Sequence, residues 1–241
     1  MFPASDALQS VDRERIESGE REILVEERDP LVDAYDAEIR YLDDHLAELF
    51  ARLEAWGLLE ETIVLVVGDH GESFGEHNEL EHATGLHEPQ LRVPLLLRLP
   101  GQTEGRRESR PVHLVDVMPT LLEALGLERP ADLQAGSLLD VERPLPIVAH
   151  LGPYGRDYSE DAIYVDSWKL IVSSLGQVEL YDLRVDPEEA ENLATRQPEV
   201  VRELIGRLQT FKSEAAPRFG PGRGEIDPET LERLRGLGYV N

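Results

Sequence analysis

Asp69 and His70 stand side by side in Gly68-Asp69-His70-Gly71, directly after an apolar, β-branched run. A carboxylate oxygen and a neutral imidazole nitrogen are ordinary ligands for a divalent cation. Neighbouring residues of a strand point to opposite faces, so both can reach one ion only if the chain turns at Asp69. The glycines on either side make that turn feasible. His77, His82 and His87 follow, which puts four of the seven histidines within 18 residues. Clustered imidazoles suit anion binding and proton transfer near neutral pH. The bland readings are a capping Asp beside a surface His, and a solvated His-rich loop.

The elements around these residues must position them. Residues 62–67 form a continuous apolar run, which predicts a strand buried on both faces in a parallel sheet covered by helices. Residues 93–99 predict a second such strand, stopped by Pro100-Gly101, and residues 146–151 a third. Ligands of open α/β sheets sit beyond the carboxyl ends of strands, where Asp69 and His70 fall. Upstream, Leu31, Tyr35, Ile39, Leu42, Leu46, Leu49, Leu53 and Trp56 recur at steps of three or four, predicting one helix with an apolar stripe. Asp29 is its expected cap, Pro30 its first residue and Gly57 its stop. Residues 1–28 read as loop with one short helix. Asp116, Pro119 and Gly126 bracket a helix over 116–125.

After about residue 152 the pattern changes. Residues 162–166 and 169–173 read as a hairpin around Ser167-Trp168, residues 178–182 add a strand, and 198–211 form a helix with Val201, Leu204, Leu208 and Phe211 on one face. A Pro/Gly/Arg linker over 217–224 leads to a last short helix over 228–235, capped by Asp227. The α/β pattern followed by a small antiparallel sheet with helices divides the chain into residues 1–152 and 153–241.

Composition narrows the function classes. The 241 residues carry 24 basic and 49 acidic side chains, a net charge of −25, and such a surface repels nucleic-acid phosphates. No apolar run approaches a membrane span, and residues 1–30 contain no apolar signal-peptide core. The absence of cysteine removes disulfides, zinc–thiolate sites and cysteine nucleophiles. Nothing here assigns a compartment.

The string GDHGESFGEHNELEHATGLHEPQLRVPLLLRLPG, taken with the YDAEIRYLDDHLAELFARLEAWGLLEETIVLVV before it, resembles the sulfatase branch of the alkaline phosphatase superfamily. VDVMPTLLEALGL, WKLI, ELYDLRVDPEEAENLA and LRGLGYV are similar to later segments of that family in the same order, so the likeness runs from about Tyr35 to Val240. The fold it implies is part of an alkaline-phosphatase-like three-layer α/β sandwich, followed by a small α+β subdomain with an antiparallel sheet.

By that resemblance Asp69 matches the carboxylate ligand of the active-site divalent cation, which would be Ca²⁺, with Mg²⁺ or Mn²⁺ as alternatives. His70 matches the neighbouring ligand, an Asn in many arylsulfatases and a His in phosphonate monoester hydrolase-like members. His82 matches a cationic residue that touches the sulfate or the leaving oxygen. His77 is a weaker catalytic candidate, with loop support as its alternative. His87 stands where the family usually has Tyr and is not assigned to catalysis. Glu88 and Arg92 are expected to brace the loop as an ion pair, and Trp168 to lie in the core. No separate organic-cofactor site is expected. Family members are often periplasmic or secreted.

The family's nucleophile is a formylglycine made in a Cys-x-Pro-x-Arg motif or its Ser equivalent, and two further acidic ligands precede it. None of these is present, and Ser5 and Ser10 sit in no such motif. The expected function is metal-dependent hydrolysis of small-molecule or glycan sulfate esters by a parent of which this chain is the C-terminal part. A missing N-terminal half is its expected partner, and the central strand 62–67 is expected near an open sheet edge. The alternatives are a catalytically inactive binding module, and a phosphonate or phosphate ester hydrolase.

Overall fold

The computed structural model describes residues 13–130, 133, 135–140, 146–153 and 157–214. The expected linker over 217–224 and helix over 228–235 lie outside the described residues. The chain divides into two compact units, Met1–Leu208 and Gln209–Asn241. Of the second unit, only the end of the last helix is described.

Two helices open the described chain, α1 (Arg13–Glu17) and α2 (Val25–Ala55). Helix α2 begins five residues earlier than Pro30 suggests, so Pro30 lies inside it. The start is set by Glu27, whose carboxylate accepts the Leu24 backbone N–H at 2.9 Å and a bidentate pair from Arg21. Those bonds satisfy first-turn groups that have no partner inside the helix. They hold the Glu27 carboxyl down at about 2, the Arg21 hydrogen bonds being the largest cause and the Leu24 N–H the next. Ile16, Leu31 and Leu80 form a small buried cluster with Ile23 and Phe74 against it.

The expected apolar stripe of α2 is present, but it is not buried as a core face. Only Leu31 is buried in this helix, while Ile39, Leu42, Leu49 and Trp56 are exposed. Burying one such side chain contributes ~1.5–3 kcal/mol, which this stripe forgoes within the described chain.

Strands β1 (Val64–Val67), β2 (Ser73–Phe74), β3 (Leu80–Glu81) and β4 (Leu95–Arg98), with the short helix α3 (Glu88–Leu91) before β4, carry the motif region. The parallel-sheet expectation is corrected here. Strands β1 and β4 pair antiparallel with each other, Val64 opposite Arg98 and Val67 opposite Leu95. Among the described residues each has one neighbour and one open edge. Neither is buried on both faces, since Val67 and Leu96 are exposed. A continuous apolar run marks faces that can bury but carries no information on strand direction or on the surface that covers them. Strands β2 and β3 make a second, two-stranded antiparallel ladder. Helix α4 (Val117–Ala124) lies as read, with Asp116 at its cap position and Gly126 at a positive φ of 67° just past its end. The Asp116 carboxylate does not cap the helix; it accepts the Gly136 N–H at 2.9 Å.

Strands β5 (Ile147–Leu151), β6 (Glu160–Val165), β7 (Trp168–Ser173) and β8 (Val178–Asp182) form an antiparallel meander in sequence order. Strand β5, expected in the main sheet, is the edge of this one and pairs with β6. Side chains alternate across the meander, and both faces are covered. Ala162, Ile171 and Tyr181 point to one face, with Leu86 of the motif loop and Leu151. Ile163, Leu170 and Leu180 point to the other, against Leu204 and Leu208 of helix α5 (Pro198–Glu214). Trp168 is half-buried at the margin of that second cluster. The motif loop is therefore clamped to the sheet by its apolar residue Leu86, immediately before His87. Among the described residues, no helix is long and apolar enough to cross a membrane.

Candidate active site

Strand β1 ends at Val67, and the Gly68 N–H donates to Pro94 O at 3.0 Å, so the turn at Asp69 starts from a pinned backbone. The Gly71 N–H donates to Gln90 O at 2.8 Å. This approach is so close that a Cβ on Gly71 would meet Pro89 O at 2.0 Å, which is why the turn needs glycine there. Gly71→Ala is expected to lower stability by ~1–3 kcal/mol through that overlap and to shift the turn. Thermal unfolding checks this, with Gly206→Ala as the control, since nothing lies within 4 Å of a Cβ at Gly206.

The turn presents Asp69 and His70 outward. The Asp69 side chain is 88% exposed, and its Oδ1 accepts the His70 N–H at 3.0 Å. The His70 Nδ1 lies 2.9 Å from Gly71 O, so it carries the proton and donates, which leaves Nε2 with its lone pair free. Nε2 is 4.0 Å from Asp69 Oδ2. The His82 ring stacks on His70 with centroids 4.3 Å apart and an interplanar angle of 27°. His82 Nδ1 lies 3.3 Å from Glu72 Oε2. Asp69, His70 and His82 are thus together, with Glu72 added. Glu72 follows Gly71 directly, and its nearness to the strand end was the one available signal; a lone Glu in a polar loop is otherwise indistinguishable from a solvated one.

His77 is elsewhere. It sits at a positive φ of 55°, stacked face to face on His87 with centroids 3.8 Å apart and an interplanar angle of 3°. Burial first, then the positive charge of His87, lowers its pKa, so His77 is neutral near pH 7. His87 is the organising residue of this second group. Its Nδ1 donates to Glu79 Oε1 at 2.8 Å and its Nε2 to Glu179 Oε2 at 3.0 Å. Burial by itself would depress the imidazole, but the hydrogen bonds to Glu179 and Glu79 outweigh it and lift His87 to about 9. The hydrogen bond from His87 in turn lowers Glu179. Tyr181 donates its hydroxyl to the same Glu179 oxygen at 2.5 Å, and burial and that carboxylate push its own pKa up. Glu79 also accepts from Gln90 Nε2 at 2.8 Å, and a Cβ on Gly85 would lie 1.6 Å from its Oε1.

The expected Glu88–Arg92 ion pair is replaced by a different one. Arg92 is exposed, whereas the Glu88 carboxylate accepts the Tyr164 hydroxyl at 2.7 Å and the Lys169 ammonium at 3.1 Å. Lys169 is completely buried and lies 2.6 Å from Glu189 Oε1, an ion pair without hydrogen-bond alignment. Glu189 Oε2 takes the Glu88 backbone N–H at 2.6 Å. One lysine on β7 therefore holds the motif loop and the segment after β8 together. Sequence reasoning missed it because its partners lie 20 and 81 residues away.

Comparison with known proteins agrees with this arrangement. The sulfatase family profile matches residues 3–127. Mouse (Mus musculus) arylsulfatase K is 31% identical over 185 residues, covering 70% of this chain and 33% of that protein. The chain thus spans about a third of the length of this curated relative. Among solved structures, BT1596, a 2-O GAG sulfatase, superposes with a TM-score of 0.73 at 17% identity over 95% of this chain and 52% of that one. The phosphonate monoester hydrolase of Agrobacterium radiobacter superposes with a TM-score of 0.69 at 22% identity, over 78% of this chain and 42% of that one. The fold is the alkaline-phosphatase-like fold of these proteins, with its smaller antiparallel sheet. Because the profile takes in the long helix, the β1 turn with its histidines, and the strand and helix that follow, the chain belongs to the sulfatase family.

Proposed function

We propose that this chain is the C-terminal part of a metal-dependent sulfuric ester hydrolase, carrying half of its metal and anion site. The observation that supports it best is the turn after β1, which brings Asp69, the free Nε2 of His70 and the His82 ring together at the surface. These donors fit a divalent cation but are too few to hold it alone: Ca²⁺ takes about six to eight oxygen ligands, and two protein ligands leave most of that shell to water or to other segments. Asp69 and His70 would hold the ion, which as a Lewis acid would polarise the sulfate ester. His82, within reach of Glu72 for its Nδ1 proton, would contact the anion or the leaving oxygen. The Lys169 and His87 networks keep the loop bearing His82 against the sheet. The division at residue 152 remains part of this reading, with β5 lent to the C-terminal sheet.

The substrate class is a small-molecule or glycan sulfate ester. A phosphonate or phosphate ester is the second reading, favoured by His70 in place of Asn. The exposed stripe of α2 and the open edges of β1 and β4 support a further segment covering them.

The 241-residue chain is expected to hydrolyse no aryl sulfate, because it has no cysteine for formylglycine and no other nucleophile at the turn. Supplying the segment that precedes this region in a sulfatase, in trans, is expected to restore turnover that Asp69→Ala abolishes. Aryl sulfate turnover by the chain alone, lost in Asp69→Ala, overturns the half-site reading. Restored turnover of phosphonate esters but not sulfate esters replaces the substrate class.

A further inference from the structure

His70, Glu72 and His82 each offer one ligand atom, and these atoms lie within 4.8 Å of one another. Asp69 is not in this group. Two imidazole nitrogens and one carboxylate oxygen at that spacing are a poor match to Ca²⁺, which prefers an all-oxygen shell, and a good match to Zn²⁺. Three protein ligands with an open fourth position is a common zinc arrangement, and the two exposed histidines leave room for a water there.

A second observation points the same way. The Nδ1–H of His70 is already committed to Gly71 O at 2.9 Å. Metal-bound histidines commonly donate their other N–H to a backbone carbonyl, which selects the tautomer and fixes the ring. His70 is therefore set with Nε2 facing outward before any ion arrives. The Gly71 backbone that holds it is itself pinned to Gln90 O, so the ring orientation rests on a rigid turn. The His82 ring stacks on it at 4.3 Å, tilted by 27°, and Glu72 approaches His82 from the chain segment between them. With the His70 ring held in place, the exposed His82 and the partly buried Glu72 are the side chains that adjust to bring the three atoms onto one ion.

We propose that His70, Glu72 and His82 form a binding site for a borderline divalent cation of the Zn²⁺ type, separate in ligand set from the Asp69–His70 site and sharing only His70 with it. One lone pair on Nε2 serves one ion, so zinc at this site excludes a cation bound through Asp69 and His70. The pair of sites makes His70 a point of competition between two classes of metal.

The test is calorimetric titration of the purified 241-residue chain with Zn²⁺, together with the visible spectrum of Co²⁺ as a zinc substitute. One Zn²⁺ per chain and intense tetrahedral cobalt absorption are expected. Glu72→Gln and His82→Ala are each expected to weaken zinc by more than the about 10- to 100-fold lost on removing an outer partner of a metal ligand. Asp69→Asn is expected to weaken zinc far less than Glu72→Gln or His82→Ala does, while removing Ca²⁺ binding. All three side chains are solvent-facing or partly so, and circular dichroism confirms that the variants fold. Zinc binding that survives both Glu72→Gln and His82→Ala places the ion elsewhere and overturns the proposal. Zinc binding lost in Asp69→Asn to the same degree as in His82→Ala merges the two sites and also overturns it. Absence of Ca²⁺ binding with zinc binding intact would count against the Asp69 assignment alone.

Discussion

Lys169→Ala is expected to lower the midpoint of thermal unfolding of this chain by about 6–20 °C. The ammonium is completely buried, 2.6 Å from Glu189 Oε1 and 3.1 Å from Glu88 Oε1. Glu189 is fully buried as well. Removing the cation leaves two carboxylates in a site closed to water, and breaking a buried pair in this way costs ~3–5 kcal/mol. Domains of this size have only about 5–15 kcal/mol in total. The loss is local first. Glu88 would release the Tyr164 hydroxyl and the Lys169 position together, freeing the segment between His82 and α3 from β6 and β7. The double variant Lys169→Met with Glu189→Gln removes both charges and is expected to regain part of the stability, since an uncharged packed pair of similar volume is often near neutral. Thermal unfolding of Lys169→Met, Glu189→Gln and the double variant measures this coupling. Additive effects, or a midpoint unchanged in Lys169→Ala, would remove the network from the account of the fold.

The second large effect is a pH dependence centred on His87. Its folded pKa, lifted to about 9 by Glu179 and Glu79 against the opposing burial, lies above the ordinary imidazole value of 6.5. A raised folded pKa stabilises the protein fully below the unfolded value, and that stabilisation fades as pH rises through the folded value. Wild-type stability from this group should therefore be complete below about pH 6.5 and lost progressively toward pH 9 and above. The shift corresponds to about 3 kcal/mol, at ~1.4 kcal/mol per unit. Screening is slight because the His87 side chain is only 9% exposed. The depression of Glu179 reports the same contact from the other side and is not added. His87→Gln keeps polar bulk but cannot be charged. It should be less stable than wild type by about that amount at pH 6 and should converge with it near pH 10. Urea unfolding across this range decides the matter, and parallel curves for the two proteins would show that the imidazolium bridge contributes nothing. The same bridge joins the β2–β3 hairpin to β8, so its loss above pH 9 should also expose the His77 ring that stacks on it.

Local signals decided much of this protein. The apolar run before Gly68 predicted β1, and the glycines around Asp69 and His70 predicted the turn that presents them. Helix α4 was readable from Asp116, Pro119 and Gly126, and β8 from residues 178–182, because capping, turn chemistry and alternation act over a few residues. The order of short motifs was enough to identify the family. Tertiary structure alone decided the rest. Strand direction and the transfer of β5 to the meander depend on which ladders form, and a strand's residues read the same whether its neighbour runs with it or against it. The stripe on α2 marks a face able to bury, yet burial requires a partner surface that periodicity does not supply. His87 looked like a departure from a family position and proved to be the clamp between Glu79 and Glu179, the latter 92 residues away. Lys169 likewise gains its role only when Glu88 and Glu189 close over it. Charges of this kind acquire partners from distant segments, and no local pattern records a partner that arrives only through folding.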